Sequence, residues 1–382
     1  MKDLSQIIAN LTPEKRDALL QKLRSSQGGN TTILTKKEVV EEAIEEGDNF
    51  YMAISSPGNL QSIKQIKQAI LPPRFDQVQI KVKAASLNFR DLMMALNMYP
   101  ATPGVASVMG SDFSGIITAV GEEITEYKIG DEVICLSAGS LTHEESLDPD
   151  SHFAAYTNIK SNQVTKKPKN ISWEEAACLP TVFLTSYYSL MNIANLKKGE
   201  RVLIHTASGG VGQSAIQIAK WMKAEIFVTA GTDLKRDFLK SIDFEAPMDS
   251  RSLVFEKQIM ERTNNEGIDV ILNTIAGEAG DAGLRILRDF GRFVQIDKKD
   301  IANNNTIQLG EFNKGLSYCA FDLGLFYLNP ELMKQLFDKV SNHFRDENFK
   351  PITYNSYNIK DLGAAFIEFS RAQHIGKIVL TY

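Results

Sequence analysis

Cysteine is scarce: Cys135, Cys178 and Cys319 are the three present in 382 residues. They are far apart and odd in number, which argues against a disulfide framework or a CxxC metal site and suits a reducing compartment, the cytoplasm. Long apolar runs are missing as well. None approaches the roughly 18–20 residues that span a bilayer, and the Met1-Lys-Asp-Leu-Ser start lacks the apolar stretch of a signal peptide. There is no basic surplus either: 42 Lys and Arg face 47 Asp and Glu, for a net charge of −5. A binder that neutralises nucleic-acid phosphates would carry the opposite balance. What is present is 43% hydrophobic and 23% charged residues, the composition of a soluble, multi-domain α/β protein.

The first thirty residues differ in texture from the rest. Leu4, Ile7, Ile8 and Leu11 recur at helical spacing, and Thr12-Pro13 reads as an N-cap followed by proline in the first turn. Leu19, Leu20 and Leu23 form a second stripe, and Ser25–Thr32 has linker composition. A helical hairpin and linker is expected over 1–47, either docking on another chain or packing on the body. Residues 36–46 suit a solvated helix. From Phe50 the texture turns to strands: Val78, Ile80 and Val82 alternate with Gln79, Lys81 and Lys83. Gly110, Gly115, Gly121 and Gly130 punctuate further short β-branched runs, which predicts a compact, barrel-like β domain. Near Thr185 strand–helix alternation begins and persists to about Asp300, the mark of a doubly wound parallel sheet. The expected divisions are 48–184 for the first part of the β-rich substrate domain, 185–320 for the nucleotide-binding domain and 321–382 for the rest of the substrate domain. The last strand, Lys377–Thr381, is expected to pair with the β domain.

Arg201–His205 is a short apolar strand, Thr206–Gly212 (TASGGVG) follows at once, and Ala215, Ile218, Ala219 and Met222 form a helical stripe behind it. Strand, glycine turn and helix in that order are the context of a dinucleotide fingerprint. The plain alternative is a glycine turn that only packs a helix on a sheet. A second strand over Glu225–Ala230 has no carboxylate at its tip, whereas Lys235, Arg236 and Arg251 follow, so NADPH is expected over NADH. Asp233 is the dissenting residue, and it is expected to cap the next helix.

From about residue 50 onward the chain resembles the enoyl reductase domains of modular polyketide synthases, in the zinc-free branch of the medium-chain dehydrogenase/reductase superfamily. The resemblance is carried by Leu87-Asn-Phe-Arg-Asp91, Met98-Tyr-Pro100, Gly110-Ser-Asp-Phe-Ser-Gly115, Leu179–Thr185, the HTASGGVG turn, Gly267–Asn273, Gly291-Arg-Phe-Val294 and His374-Ile-Gly-Lys377. It implies a GroES-like substrate domain interrupted by a Rossmann-like domain. It also implies hydride delivery from NADPH to the β-carbon of an α,β-unsaturated acyl thioester on an acyl carrier protein. By the same resemblance Lys298 is the active-site lysine, Asp322 its partner, and Tyr99 the phenol that protonates one face of the enolate. The residues expected to bind the cofactor are Asn88, Thr185, Ser208, Gly209, Gly210, Val211, Gly212, Thr229, Lys235, Arg251, Asn273 and Lys377. Plain readings stand beside these: Lys298–Asp322 as an ion pair that only closes a domain interface, and Tyr99 as an aromatic lining the cleft.

The chain departs from the family pattern in three places. Asp297 precedes Lys298 where the family has glycine, so an extra carboxylate either disturbs the lysine or faces solvent. Lys223 replaces a helix-ending glycine. The first forty-odd residues lie outside the resemblance, and 1–30 are a candidate contact with other synthase domains. No metal is expected, because Asn88 and Gly110-Ser111-Asp112 stand where zinc-bearing relatives have Cys and Gly-His-Glu. His143 and His152 are expected in a solvated loop and His205 in the core. A homodimer stays open. So do three other functions: a quinone or enone reductase, an enzyme that closes the enolate onto a γ leaving group to form a cyclopropane, and a non-catalytic cofactor-binding scaffold.

Overall fold

The computed structural model describes residues 45, 47–98, 109–137 and 152–382. Apart from residues 45 and 47, the hairpin and linker expected over 1–47 and the helix expected over 36–46 therefore lie outside the described residues, as do Tyr99 and His143. Strands β1 (Phe50–Ile54) and β2 (Ile63–Lys67) form a separate antiparallel pair. The long strand β3 (Gln77–Ser86) is the centre of the first domain, with Val78, Ile80 and Val82 buried as their alternation requires. Helix α1 (Phe89–Ala95) follows, and then come β4 (Asp112–Val120), β5 (Glu132–Leu136), β6 (Tyr156–Lys160) and β7 (Val164–Lys166). Strand β4 runs antiparallel to β3 with two register irregularities, and β6 pairs with β3 as well. Gly115 on β4 sits 2.7 Å, measured from where a Cβ would stand, from Ile80, so only glycine fits there.

Helices α2 (Trp173–Ala177) and α3 (Pro180–Tyr187) lead out of this domain. Ser172 caps α2 through a reciprocal bond with Glu175, and Pro180 occupies the first turn of α3, where its missing N–H costs nothing. Strand and helix then alternate: β8 (Arg201–Ile204), α4 (Gly210–Trp221), β9 (Glu225–Ala230), α5 (Asp233–Ser241), β10 (Met248–Asp249), α6 (Val254–Arg262), β11 (Ile268–Asn273), α7 (Glu278–Ile286), β12 (Leu287–Gln295), the short α8 (Lys299–Ala302) and β13 (Ser317–Ala320). These strands make one parallel sheet in the order β10-β9-β8-β11-β12-β13. It is covered on both faces, as a parallel sheet must be: Val202 and Ile204 pack with Phe183 and Phe337 on one side, Leu203 with Phe255 and Phe293 on the other.

Helix α9 (Pro330–Arg345) returns the chain, and β14 (Tyr354–Asn358), α10 (Leu362–Ser370) and β15 (Lys377–Thr381) complete the first domain. Strand β15 joins β3 antiparallel and β14 parallel, giving the order β14-β15-β3-β4-β5-β7. Lys223 has φ 59°, the left-handed backbone that glycine adopts at a helix end. Thr232, and not Asp233, caps α5 by accepting the Lys235 N–H at 3.3 Å. Asp233 is instead the first helical residue and pairs with Arg236 at 2.5 Å, which corrects the capping expectation. His152 is also corrected. It is 4% exposed, stacked on Phe113 and bonded to Thr157 at 2.6 Å.

Candidate active site

The turn between β8 and α4 is built by glycines that admit no side chain. A Cβ on Gly212 would run into the backbone of Ala207, and one on Gly210 would stand 2.8 Å from Val182 and 3.2 Å from the stem of Lys377. Val211 and Gly212 lie in the first turn of the twelve-residue α4, where a helix has no carbonyl of its own for its N–H groups. Free donors at the positive end of a helix fit a pyrophosphate. The Ser208 carbonyl turns the other way. It accepts the Gly376 N–H at 2.8 Å and Gln213 Nε2 at 2.9 Å. Gln213, with its Oε1 on the Thr353 N–H at 3.0 Å, thereby ties the turn to the segment before β14.

At the carboxyl end of β9, Arg236 donates to the Ala230 carbonyl at 2.9 Å. Arg251 Nε lies 2.9 Å from where a Gly231 Cβ would be. Lys235 reaches the Ala372 carbonyl at 2.7 Å. Asp233 and Asp249 pair with Arg236 at 2.5 and 3.3 Å, so three cations and two carboxylates surround the strand tip. That surplus of positive charge suits a 2′-phosphate better than a bare ribose. Thr229 is fully buried with its hydroxyl 2.9 Å from His205 Nδ1. His205 is a core residue, as expected. Burial pulls its pKa down to about 3. Thr185 is buried on α3.

Asn273, at the end of β11, donates to the Ile275 carbonyl (2.7 Å) and to Gln295 Oε1 (2.6 Å). Gln295 Nε2 in turn donates to the Asp297 carbonyl at 3.0 Å, beside Lys298. Lys298 Nζ meets Asp322 Oδ2 at 2.5 Å, with the two side chains 52% and 39% exposed. Asp322 is fixed from behind by the Gly324 N–H on its other oxygen, at 2.8 Å. The extra carboxylate, Asp297, is half-buried and accepts the Lys299 N–H at 3.0 Å, while Lys298 Nζ pairs with Asp322. Burial raises its pKa. The ends of β8, β11, β12 and β13 thus bring the glycine turn, Asn273 and the Lys298–Asp322 pair to one edge of the sheet, the edge where open parallel sheets bind ligands.

The first domain supplies a buried polar cluster. Lys377 Nζ donates to the Leu87 carbonyl (2.8 Å) and Asn88 Oδ1 (2.6 Å) and lies 3.5 Å from Asp112 Oδ2. Asp112 also accepts from the Thr181 hydroxyl and N–H at 2.6 and 3.2 Å, and Asn88 Nδ2 donates to Ser111 at 3.2 Å. Fully buried Asp91 accepts the N–H groups of Asn88 (2.8 Å) and Gly110 (2.9 Å), and burial lifts its pKa to about 6. Asp91 and Thr181 lie in segments that carry the resemblance but were given no role there, and Gln213 and Gln295 were not singled out, their only signal being a polar residue inside an otherwise apolar or glycine-rich segment. Among the described residues no three His, Cys, Asp or Glu side chains converge as metal ligands would.

Comparison with known proteins agrees with this fold. Residues 74–169 match the alcohol dehydrogenase GroES-like domain and residues 210–341 the zinc-binding dehydrogenase family. The solved structure of CurK enoyl reductase is 34% identical, with a TM-score of 0.77 over 87% of this chain and 99% of that one. The CurF ER cyclopropanase from the curacin A biosynthetic pathway is 28% identical, with a TM-score of 0.78 over 87% and 99%. A phenolphthiocerol/phthiocerol polyketide synthase of Mycobacterium tuberculosis is 34% identical over 86% of this chain, which spans about 15% of that protein's length. A GroES-like domain joined to a Rossmann-like one defines an oxidoreductase of the medium-chain dehydrogenase/reductase superfamily. Within it, the chain belongs to the zinc-free enoyl reductase family of polyketide synthases.

Proposed function

We propose that the chain is an NADPH-dependent enoyl reductase of polyketide biosynthesis, working in the cytoplasm on an α,β-unsaturated acyl thioester held by the phosphopantetheine of an acyl carrier protein. The observation that supports this best is the gathering of an anion-accepting turn and the Lys298–Asp322 pair at one edge of the parallel sheet. NADPH, when bound, supplies the hydride that adds to the β-carbon. Residues 208–212 would hold its pyrophosphate, Lys235 and Arg251 its 2′-phosphate. Asn88, Thr185, Thr229 and Asn273 would line the rest of its path. Addition of hydride leaves negative charge on the thioester oxygen, which needs donors aimed at it. Lys298 has three ammonium hydrogens and gives one to Asp322, leaving two to meet the enolate or pass it a proton. Tyr99 would protonate one face of the enolate at the α-carbon. Residues 1–30 would contact neighbouring synthase domains.

The likeness to a cyclopropanase favours a second reading of the last step only: the enolate carbon displaces a γ leaving group instead of taking a proton. The test is to incubate the protein with NADPH and a crotonyl or γ-chlorocrotonyl group on a carrier protein and identify the products by mass spectrometry. Saturated acyl product from crotonyl carrier is expected. A cyclopropane from the chlorinated substrate would establish the second reading. NADPH oxidation by quinones but not by either thioester would overturn both.

A further inference from the structure

We infer that Lys377 is a positioning residue, which fixes the Asn88 amide as a hydrogen-bond donor toward the cofactor and does not itself bind the cofactor. The inference rests on the proposal that the cleft holds NADPH. Lys377 opens β15 and is 3% exposed. Its ammonium has three hydrogens, and three oxygens surround it: the Leu87 carbonyl at 2.8 Å, Asn88 Oδ1 at 2.6 Å and Asp112 Oδ2 at 3.5 Å. None is left for a ligand. An ammonium only donates, so the atom of the Asn88 amide that faces it must be the oxygen. Nδ2 is thereby turned the other way. One of its hydrogens goes to Ser111 Oγ at 3.2 Å, and the other has no partner among the described residues. Lys377 converts an amide that can donate or accept into one that donates.

The surroundings keep this arrangement from relaxing. Asp112 cannot rotate off the lysine without losing both bonds from Thr181. The Asn88 backbone is held by Asp91 at 2.8 Å. The lysine stem lies against Gly210 of the phosphate turn, and the preceding residue, Gly376, donates to Ser208 at 2.8 Å. A shift of Lys377 is therefore felt at both the turn and Asn88.

The test is a double-mutant cycle of Lys377→Met and Asn88→Ala, read as NADPH Kd by fluorescence titration. Lys377→Met is always made together with Asp112→Asn, so that neither a buried carboxylate nor a buried ammonium is left unpaired, and thermal melts confirm folding. With Asn88 present, Lys377→Met should weaken NADPH binding roughly 3- to 10-fold, the worth of one hydrogen bond. With Asn88→Ala it should change Kd by less than about twofold. Equal losses in the two backgrounds would overturn the assignment, because the lysine would then bind the cofactor directly; so would no loss in either. Asn88→Asp reads the same point with Lys377 intact, since it keeps the ammonium contact and deletes the Nδ2 donor. A loss equal to that of Asn88→Ala is expected, and undiminished binding would overturn the inference. Failure of the parent protein to bind NADPH would instead overturn the proposed function.

Discussion

Lys298 and Asp322 sit half-exposed with one short bond between them, and that exposure divides the chemistry. Hydride addition needs the cofactor and substrate aligned, whereas α-carbon protonation needs a donor, and water reaches an exposed site. Lys298→Ala is therefore expected to keep NADPH binding and to lower turnover by less than the roughly 10²–10⁴-fold of an essential acid. Tyr99→Phe should do the same, and the double variant should lose more than the product of the two. Hydride transfer and solvent-deuterium incorporation, followed separately, check this. Loss of hydride transfer in Lys298→Ala with cofactor binding intact would show that the lysine acts before the enolate forms. At the tip of β9 the charges make a second residue-scale prediction. Lys235→Ala together with Arg251→Ala should weaken NADPH far more than NADH, because only the former gains charge-assisted bonds from them. Equal losses would refute the NADPH preference.

The elements whose local chemistry is self-contained were legible in the sequence. The alternation of Val78, Ile80 and Val82 announced β3, and the order strand, glycine turn, helix announced β8 and α4. What was not legible depends on partners far along the chain. Lys377 meets Asn88 across 289 positions, and nothing near either residue marks the contact. His152 looked solvated because its neighbours are acidic and polar, yet the stacking of Phe113 and the Thr157 bond bury it. The capping misreading at Thr232–Asp233 arose because both residues are good caps one position apart. Gly376 is another residue whose role depends on a distant partner. It has φ 69°, and a Cβ there would collide with the Thr353 carbonyl. Gly376→Ala should destabilise the fold by about 1–3 kcal/mol. It should also weaken NADPH binding by loosening the Ser208 carbonyl, checked by denaturant melts and cofactor titration. An unchanged midpoint would mean that this junction is slack.

For the molecule as a whole, buried titratable groups set how stability follows pH. Burial pulls His205 down to about 3, and His152 and His374 to about 4. Each is neutral in the fold and binds a proton more readily when unfolded, so each contributes stability that is present above pH 6.5 and lost on acidification. Asp91 works oppositely: raised to about 6, it holds its proton more tightly in the fold, and its contribution disappears as pH rises from about 4 to 6. Three histidines outweigh one aspartate, so Tm should fall between pH 7 and pH 5, and the slope should be shallower in His205→Asn. An identical slope would remove His205 from the account. The bond that hydride forms defines the proposed reaction, and isotope labelling reads that bond directly. With NADPH deuterated at the transferable position of its nicotinamide and a crotonyl group on an acyl carrier protein, the account predicts saturated product with one deuterium at the β-carbon. Deuterium at the α-carbon, or NADPH consumed with no reduced acyl chain, would contradict it.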